Sequence, residues 1–211
     1  MTLHVLTDDI AMAFAAGALP SAFSVLVAAH CDLTAEARAR VAAFEAVGGA
    51  VLEDVGESPL GEGALAATLA RVRSAPRVGP ARPERRTFPK ALRDVVGGDL
   101  EAVRWKSAGG GVKQAVLMRD KQASLRLLSI PAGKVLPEHG HRGLEMTLVL
   151  KGAFSDGDQR FGRGDIEIAD PSDQHIPVAE PGEDCICLAA TDAPLRFVPL
   201  IARLAQPFIR I

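Results

Sequence analysis

The sequence predicts an α+β chain of two domains, a small helical bundle followed by a small β-barrel. Three observations carry this reading. Residues 1–73 place apolar residues at helical spacing. Residues 74–90 turn to proline and arginine. From about Ala91 onward, short apolar runs alternate with Gly and Pro clusters, as strands do between tight turns. A chain of 211 residues is long enough for two modest domains.

The elements follow in order. Thr7 caps a first helix running through Ala16, with Asp8 and Asp9 in its first turn, where the helix dipole favours anions. Gly17 suits its exit. Pro20 and Ser21 open a second helix, Ala22–His30, that is apolar nearly all round and therefore buried or held against a partner. A third runs from about Thr34 to Val47, its stripe made by Val41, Phe44, Val47 and Val51, and Gly48-Gly49 weakens or ends it. A fourth carries Leu65, Leu69 and Val72. Four short helices alone make a marginal core, and units of this size often depend on a metal or a partner.

Pro76, Pro80, Pro83 and Pro89 alternate with Arg77, Arg82, Arg85 and Arg86, a stiff and solvated linker. Beyond it the expected strands are Val112–Met118, Ser124–Ile130, Glu145–Phe154, Asp165–Ala169 and Asp184–Ala190. The domain boundaries are thus 1–73 helical, 74–90 linker and 91–211 β-barrel.

Composition limits function. A net charge of −2 argues against bulk electrostatic binding to nucleic acid or to anionic membranes. The longest apolar stretch, Phe14 to Ala29, is broken by Gly17, Pro20, Ser21 and Ser24, too short and interrupted to span a bilayer. No basic start followed by an apolar run marks a signal peptide. Three cysteines make no disulfide framework. The expected location is the cytoplasm, with reduced thiols.

The chemistry concentrates in one segment. His139 and His141 are two apart, so on a strand they share a face. Glu145 follows the Arg142-Gly143 turn, and Gly152 completes the pattern HxHxxxE-x6-G. Gly164, Pro171 and His175 then supply a glycine, a proline turn and a third histidine. These positions resemble the two motifs of the cupin family, which implies a double-stranded β-helix or jelly-roll barrel, and the second motif is imperfect, with Ala179 where an asparagine is usual. Three imidazoles and a carboxylate suit a borderline divalent metal: zinc first, with iron, manganese or nickel as alternatives. Cys185 and Cys187 share one face of a strand and are redox candidates, their plainer role being that of small core residues.

These segments resemble the ChrR family of anti-sigma factors, which join a helical zinc-binding domain to a cupin. The resemblance spans nearly the whole chain. It is densest at His139–Phe154, Phe161–Asp170, Asp184–Phe197 and the Gln206–Ile211 tail, with further matches at Ala15–Leu19, Ala22–Ser24 and Ala46–Gly49. It implies sequestration of an extracytoplasmic-function sigma factor by the helical domain, and release under oxidative stress (singlet oxygen or peroxide) through the cupin. The family's helical zinc site takes an early histidine and then His-x3-Cys-x2-Cys. Here His4 and His30 match the histidines, but Thr34 and Ala37 stand at the cysteine positions. Cys31 is displaced around the helix from the family's positions. A second zinc on His4, His30 and Cys31 therefore rests on a depleted ligand set.

Two further readings compete with a regulator. One is a metal-dependent cupin enzyme of dioxygenase type with a non-catalytic helical appendage, with Arg126, Glu138 and Glu167 as candidate groups whose direction the sequence does not give. The other is an oxidant or small-molecule sensor that acts on a different partner. A regulator needs no catalytic residue, and none is evident in residues 1–73.

Overall fold

The computed structural model describes residues 5–76, 86–194 and 196–197, the last two by backbone alone. Helices α1 (Asp8–Ala15), α2 (Ser21–Leu33), α3 (Ala35–Glu53) and α4 (Ala64–Ser74) come first. The short helix α5 (Lys90–Val96) and a 3-10 turn at Leu100–Ala102 then precede the first strand. The stretch from Ala91, expected to be β-rich, thus begins helically. Asp32 at the end of α2 holds α5 in place, its carboxylate accepting from the Ala91 amide at 2.8 Å. Asp99 likewise accepts from the Thr87, Phe88 and Leu100 amides.

The strands are β1 (Lys106–Gly109), β2 (Val112–Arg119), β3 (Ser124–Ile130), β4 (His139–Gly140), β5 (Glu145–Lys151), β6 (Ala153–Asp156), β7 (Gln159–Gly162), β8 (Ile166–Ala169), β9 (Gln174–His175), β10 (Val178–Ala179), β11 (Cys185–Thr191) and β12 (Arg196–Phe197). A six-stranded antiparallel sheet runs β1-β2-β3-β11-β5-β8. Two three-stranded sheets, β10-β6-β7 and β12-β4-β9, make up the rest of the barrel. Two sequence expectations change here. The run 145–154 is two strands, because Gly152 adopts φ +68° and a Cβ there would meet the Asp184 carbonyl oxygen at 2.8 Å. Helix α3 runs through Gly48-Gly49 to Glu53, since glycine lowers helix propensity but keeps its hydrogen-bonding groups.

The inner strands of the large sheet, β3, β5 and β11, are buried on both faces. Residues opposite one another across it fall into rows of one orientation. Leu127, Leu188, Leu148 and Ile166 form one row, continued by Met146, Leu150, Ile186 and Ala190. This face packs with Phe23, Leu26 and Val27 of α2, Ile10 and Ala11 of α1, Val41 of α3, and Phe88 and Leu92 in a single apolar core. The helices therefore complete their core on the barrel's outer surface, which offsets the marginal size of the bundle. Residue Arg163 adds a polar tie, donating to the Thr87 carbonyl at 2.8 Å and to that of Leu150.

Helix α4 differs from the others, for it buries none of its residues. Along α3 the stripe divides: Val41 is buried, whereas Val47 and Val51 are exposed.

Candidate functional site

The opposite face of the sheet lines the barrel interior. Ser124, Thr191, Glu145 and Ala169 form one row and Arg126, Ala189, Thr147 and Glu167 the next. Leu128, Cys187 and Val149 form a third. The interior thus has an apolar end, where Cys185 and Cys187 join Ile130, Val149, Phe154 and Phe161, and a polar end.

At the polar end β4 pairs with β9, so that His139 lies directly opposite His175. Gly140 permits the pairing, since a Cβ there would meet the Asp173 carbonyl oxygen at 3.1 Å. His141 follows one residue beyond β4. All three imidazoles are buried and turn Nε2 toward one point: His175 to His139 is 3.0 Å and His141 to His175 is 3.2 Å. A metal ~2.0–2.1 Å from each of two imidazoles holds them about 3.0–3.4 Å apart at octahedral to tetrahedral angles. The trio therefore has the spacing of a metal site, with no large rearrangement required.

The ring orientations are set from behind. His139 Nδ1 donates to the Pro137 carbonyl at 2.9 Å, leaving its Nε2 lone pair toward the cluster. His175 Nδ1 faces two carboxylates, Asp156 at 3.3 Å and Glu167 at 3.6 Å. Glu145 stands beside the trio without joining it at ligand distance: its Oε2 is 3.8 Å from His141 Nδ1, and Thr147 Oγ donates to its Oε1 at 3.4 Å. Glu145 follows a turn fixed by Asp192, which accepts from the Leu144 amide at 2.9 Å.

Burial shapes the electrostatics. It pushes the Glu145 carboxyl up to about 7, with Glu167 adding to the rise and His175, Arg126 and Thr147 opposing it. Burial, reinforced by His175, pulls His139 down to about 4 and lowers His141 as well. For His175 burial acts downward too, but Glu167, Asp156 and Glu145 outweigh it and hold the ring above its ordinary value. His139 and His141 are thus neutral and ready to ligate near pH 7, while a carboxylate pair backs His175.

Sequence reasoning found the three histidines and left Arg126 and Glu167 unplaced. The register now puts both on the interior face. Glu167 was legible in principle, as the one charge among the apolar residues of Ile166–Ala169. Asp156 carried no signal, being one of several acidic residues near a turn.

The helical-domain residues behave differently. His4 lies outside the described residues. His30 is buried, and among the described residues its ring nitrogens have no well-formed hydrogen bond, the Gly164 backbone being the largest polar influence. Burial lowers its pKa against the upward pull of the Gly164 backbone and of Asp165 and Glu36. Among the described residues, neither His30 nor the half-buried Cys31 belongs to a group of three potential ligands. Thr34 and Ala37 stand at the family's cysteine positions, and the Thr34 hydroxyl donates to the His30 carbonyl at 3.2 Å. The Thr34 methyl lies against Gly164 of the barrel, and Ala37 is buried in the shared core. The Cys185 and Cys187 sulfurs are 3.4 Å apart as free thiols. The contact with Cys185, and then burial, push the Cys187 thiol well above its ordinary pKa.

Fold and site together define a cupin-type barrel with a three-histidine cluster and a helical unit docked on its outer face. Residues 94–194 match the ChrR Cupin-like domain family. The chain is 53% identical over 209 residues to the anti-sigma-E factor ChrR of Cereibacter sphaeroides, covering 99% of this chain and 98% of that protein. It belongs to the ChrR family of anti-sigma factors. The crystal structure of Rhodobacter sphaeroides SigE in complex with the anti-sigma ChrR matches with 51% identity and a TM-score of 0.74, over 90% of this chain and 98% of that chain. An RmlC-like cupin from Ralstonia eutropha is more distant, 20% identical with a TM-score of 0.44, over 49% of this chain and 71% of that one.

Proposed function

We propose that this protein is an anti-sigma factor that sequesters an extracytoplasmic-function sigma factor in the cytoplasm through residues 1–73. In this reading residues 91–211 form the metal-binding sensory domain and residues 74–90 the linker. The observation that carries it is the apolar surface along α3 and α4, where Val51 is 65%, Leu65 69% and Val72 66% exposed. Exposed apolar patches of this kind mark binding surfaces. The relative crystallised with SigE matches over nearly its full length. Among the described residues no helix is long and apolar enough to cross a membrane.

The three histidines, with Glu145 beside them, would hold a divalent ion, zinc being the first choice for this donor set. Singlet oxygen or peroxide would act on that site or on the Cys185–Cys187 pair. Closing a disulfide there removes two protons and two electrons, which the oxidant accepts. Release requires the oxidised form to bind the sigma factor about a hundredfold more weakly, ~3 kcal/mol.

The test is co-purification with the cognate sigma factor and titration of the complex. Leu65→Asp with Leu69→Asp should abolish capture while leaving the fold intact, because both side chains are exposed. Full capture by that variant, or no sigma factor recovered with the wild type, refutes the assignment.

A further inference from the structure

We infer that Asp156, supported by Glu167, is a positioning residue that fixes the His175 ring for metal binding. This rests on the reading of the three histidines as a metal site. The argument begins with His175's two ring nitrogens, which face different chemistry. Its Nε2 lies 3.0 Å from His139 Nε2 and 3.2 Å from His141 Nε2, within the cluster. Its Nδ1 lies 3.3 Å from Asp156 Oδ2 and 3.6 Å from Glu167 Oε1, on the far side of the ring. Neutral imidazole ligates through one nitrogen and carries its proton on the other. A carboxylate accepts and does not donate, so the proton belongs on Nδ1 and the lone pair on Nε2.

Asp156 is itself held for this task. Its Oδ1 accepts from the Ile176 amide at 3.3 Å, so one carboxylate grips the backbone next to His175 and the ring of His175 together. It sits at the end of β6 and reaches across to β9. Glu167 comes from a third strand, β8, on the interior row of the large sheet. Both carboxylates stand within charge-pair distance of Nδ1, with Asp156 the nearer and Glu167 a second charge behind the proton. His139 follows the same logic with a backbone acceptor, Pro137. The carboxylates would hold the Nδ1 proton of the third ligand while its other nitrogen binds metal.

The experiment measures zinc affinity of the full chain by competition with a chromophoric chelator, for wild type, Asp156→Ala, Asp156→Asn and Glu167→Gln. A ring-nitrogen NMR spectrum of the metal-free wild type at alkaline pH is recorded alongside. Loss of a partner of this kind weakens metal binding by about 10–100-fold. The expected result is a loss in that range for Asp156→Ala and smaller losses for Asp156→Asn and Glu167→Gln, each of which keeps an acceptor oxygen. The Co(II) visible spectrum should shift in Asp156→Ala while the far-UV circular dichroism stays unchanged. The NMR spectrum should show the His175 proton on Nδ1. Wild-type affinity in Asp156→Ala, or a neutral His175 protonated on Nε2, overturns the inference. A wild type that binds no zinc refutes the metal-site reading instead, and the NMR spectrum still decides whether the carboxylates set the ring.

Discussion

Replacing Glu145 by Gln should stabilise the metal-free protein at alkaline pH and leave it unchanged in acid. Glu145 is buried in the barrel, and its carboxyl is raised from 4.5 to about 7. A carboxyl raised in the folded state binds its proton more tightly there than in the unfolded chain. Its neutral form therefore contributes stability that is complete below pH 4.5 and lost as pH rises through about 7. The interval corresponds to about 3 kcal/mol of penalty for the charged form, as an upper value. Glutamine has the same shape and no charge, so it escapes that penalty. The assay is urea unfolding of chelator-treated protein at pH 4.5 and pH 8.5. The two proteins should match in acid, and the variant should gain up to about 3 kcal/mol in base. His139, lowered to about 4, contributes stability present above pH 6.5 and lost as pH falls through about 4. That slope is common to both proteins and cancels in the difference. Adding zinc should reverse the order, since ligation by Glu145 would reward the charged carboxylate that burial penalises. A wild type more stable than the variant at pH 8.5 without metal would refute the reasoning.

Other substitutions test other parts of the molecule. Phe23→Ala removes one of the largest fully buried side chains in the core shared by helices and barrel, and should cost about 3–5 kcal/mol in urea unfolding. Gly143→Ala would bring a Cβ within 1.9 Å of the Asp192 carboxylate that holds the turn before Glu145. It should cost about 1–3 kcal/mol and weaken zinc binding, as read by thermal unfolding and chelator competition. Cys185 and Cys187 are fully buried with the Cys187 thiol raised, so both should resist iodoacetamide in the native protein and react on unfolding. Mass spectrometry of the labelled peptides checks this, and rapid native labelling would contradict it. Metal analysis of the full chain should give one zinc per molecule, abolished in His139→Ala. A second zinc would mean that His4 and His30 still serve the family's other site.

Much of the site was legible because strand geometry is periodic. His139 and His141, two apart, announce a shared direction, and the proline turn before His175 returns the chain to meet them. The five main strands were likewise readable from alternation and Gly or Pro punctuation. Glu145 shows where this stops, for spacing brings it to the same centre but does not fix its distance, and its Oε2 stands 3.8 Å from His141 Nδ1. The stripe on α3 shows it again: Val41, Phe44, Val47 and Val51 repeat alike, yet only the first pair meets the core.

Sequence alone determined the succession of a helical part and a β part, the identity of the three imidazoles and the absence of the family's two cysteines. Tertiary structure alone decided that α2 covers the outer face of the sheet. It also decided that Ala37 and Thr34 became packing residues, and that Asp156 and Glu167 stand behind His175. The physical reason is range. Capping, periodicity and turn chemistry act between near neighbours and are written in the local pattern. The pairing of β4 with β9, and of a carboxylate on one strand with an imidazole on another, depends on register across the whole barrel, which no local segment encodes.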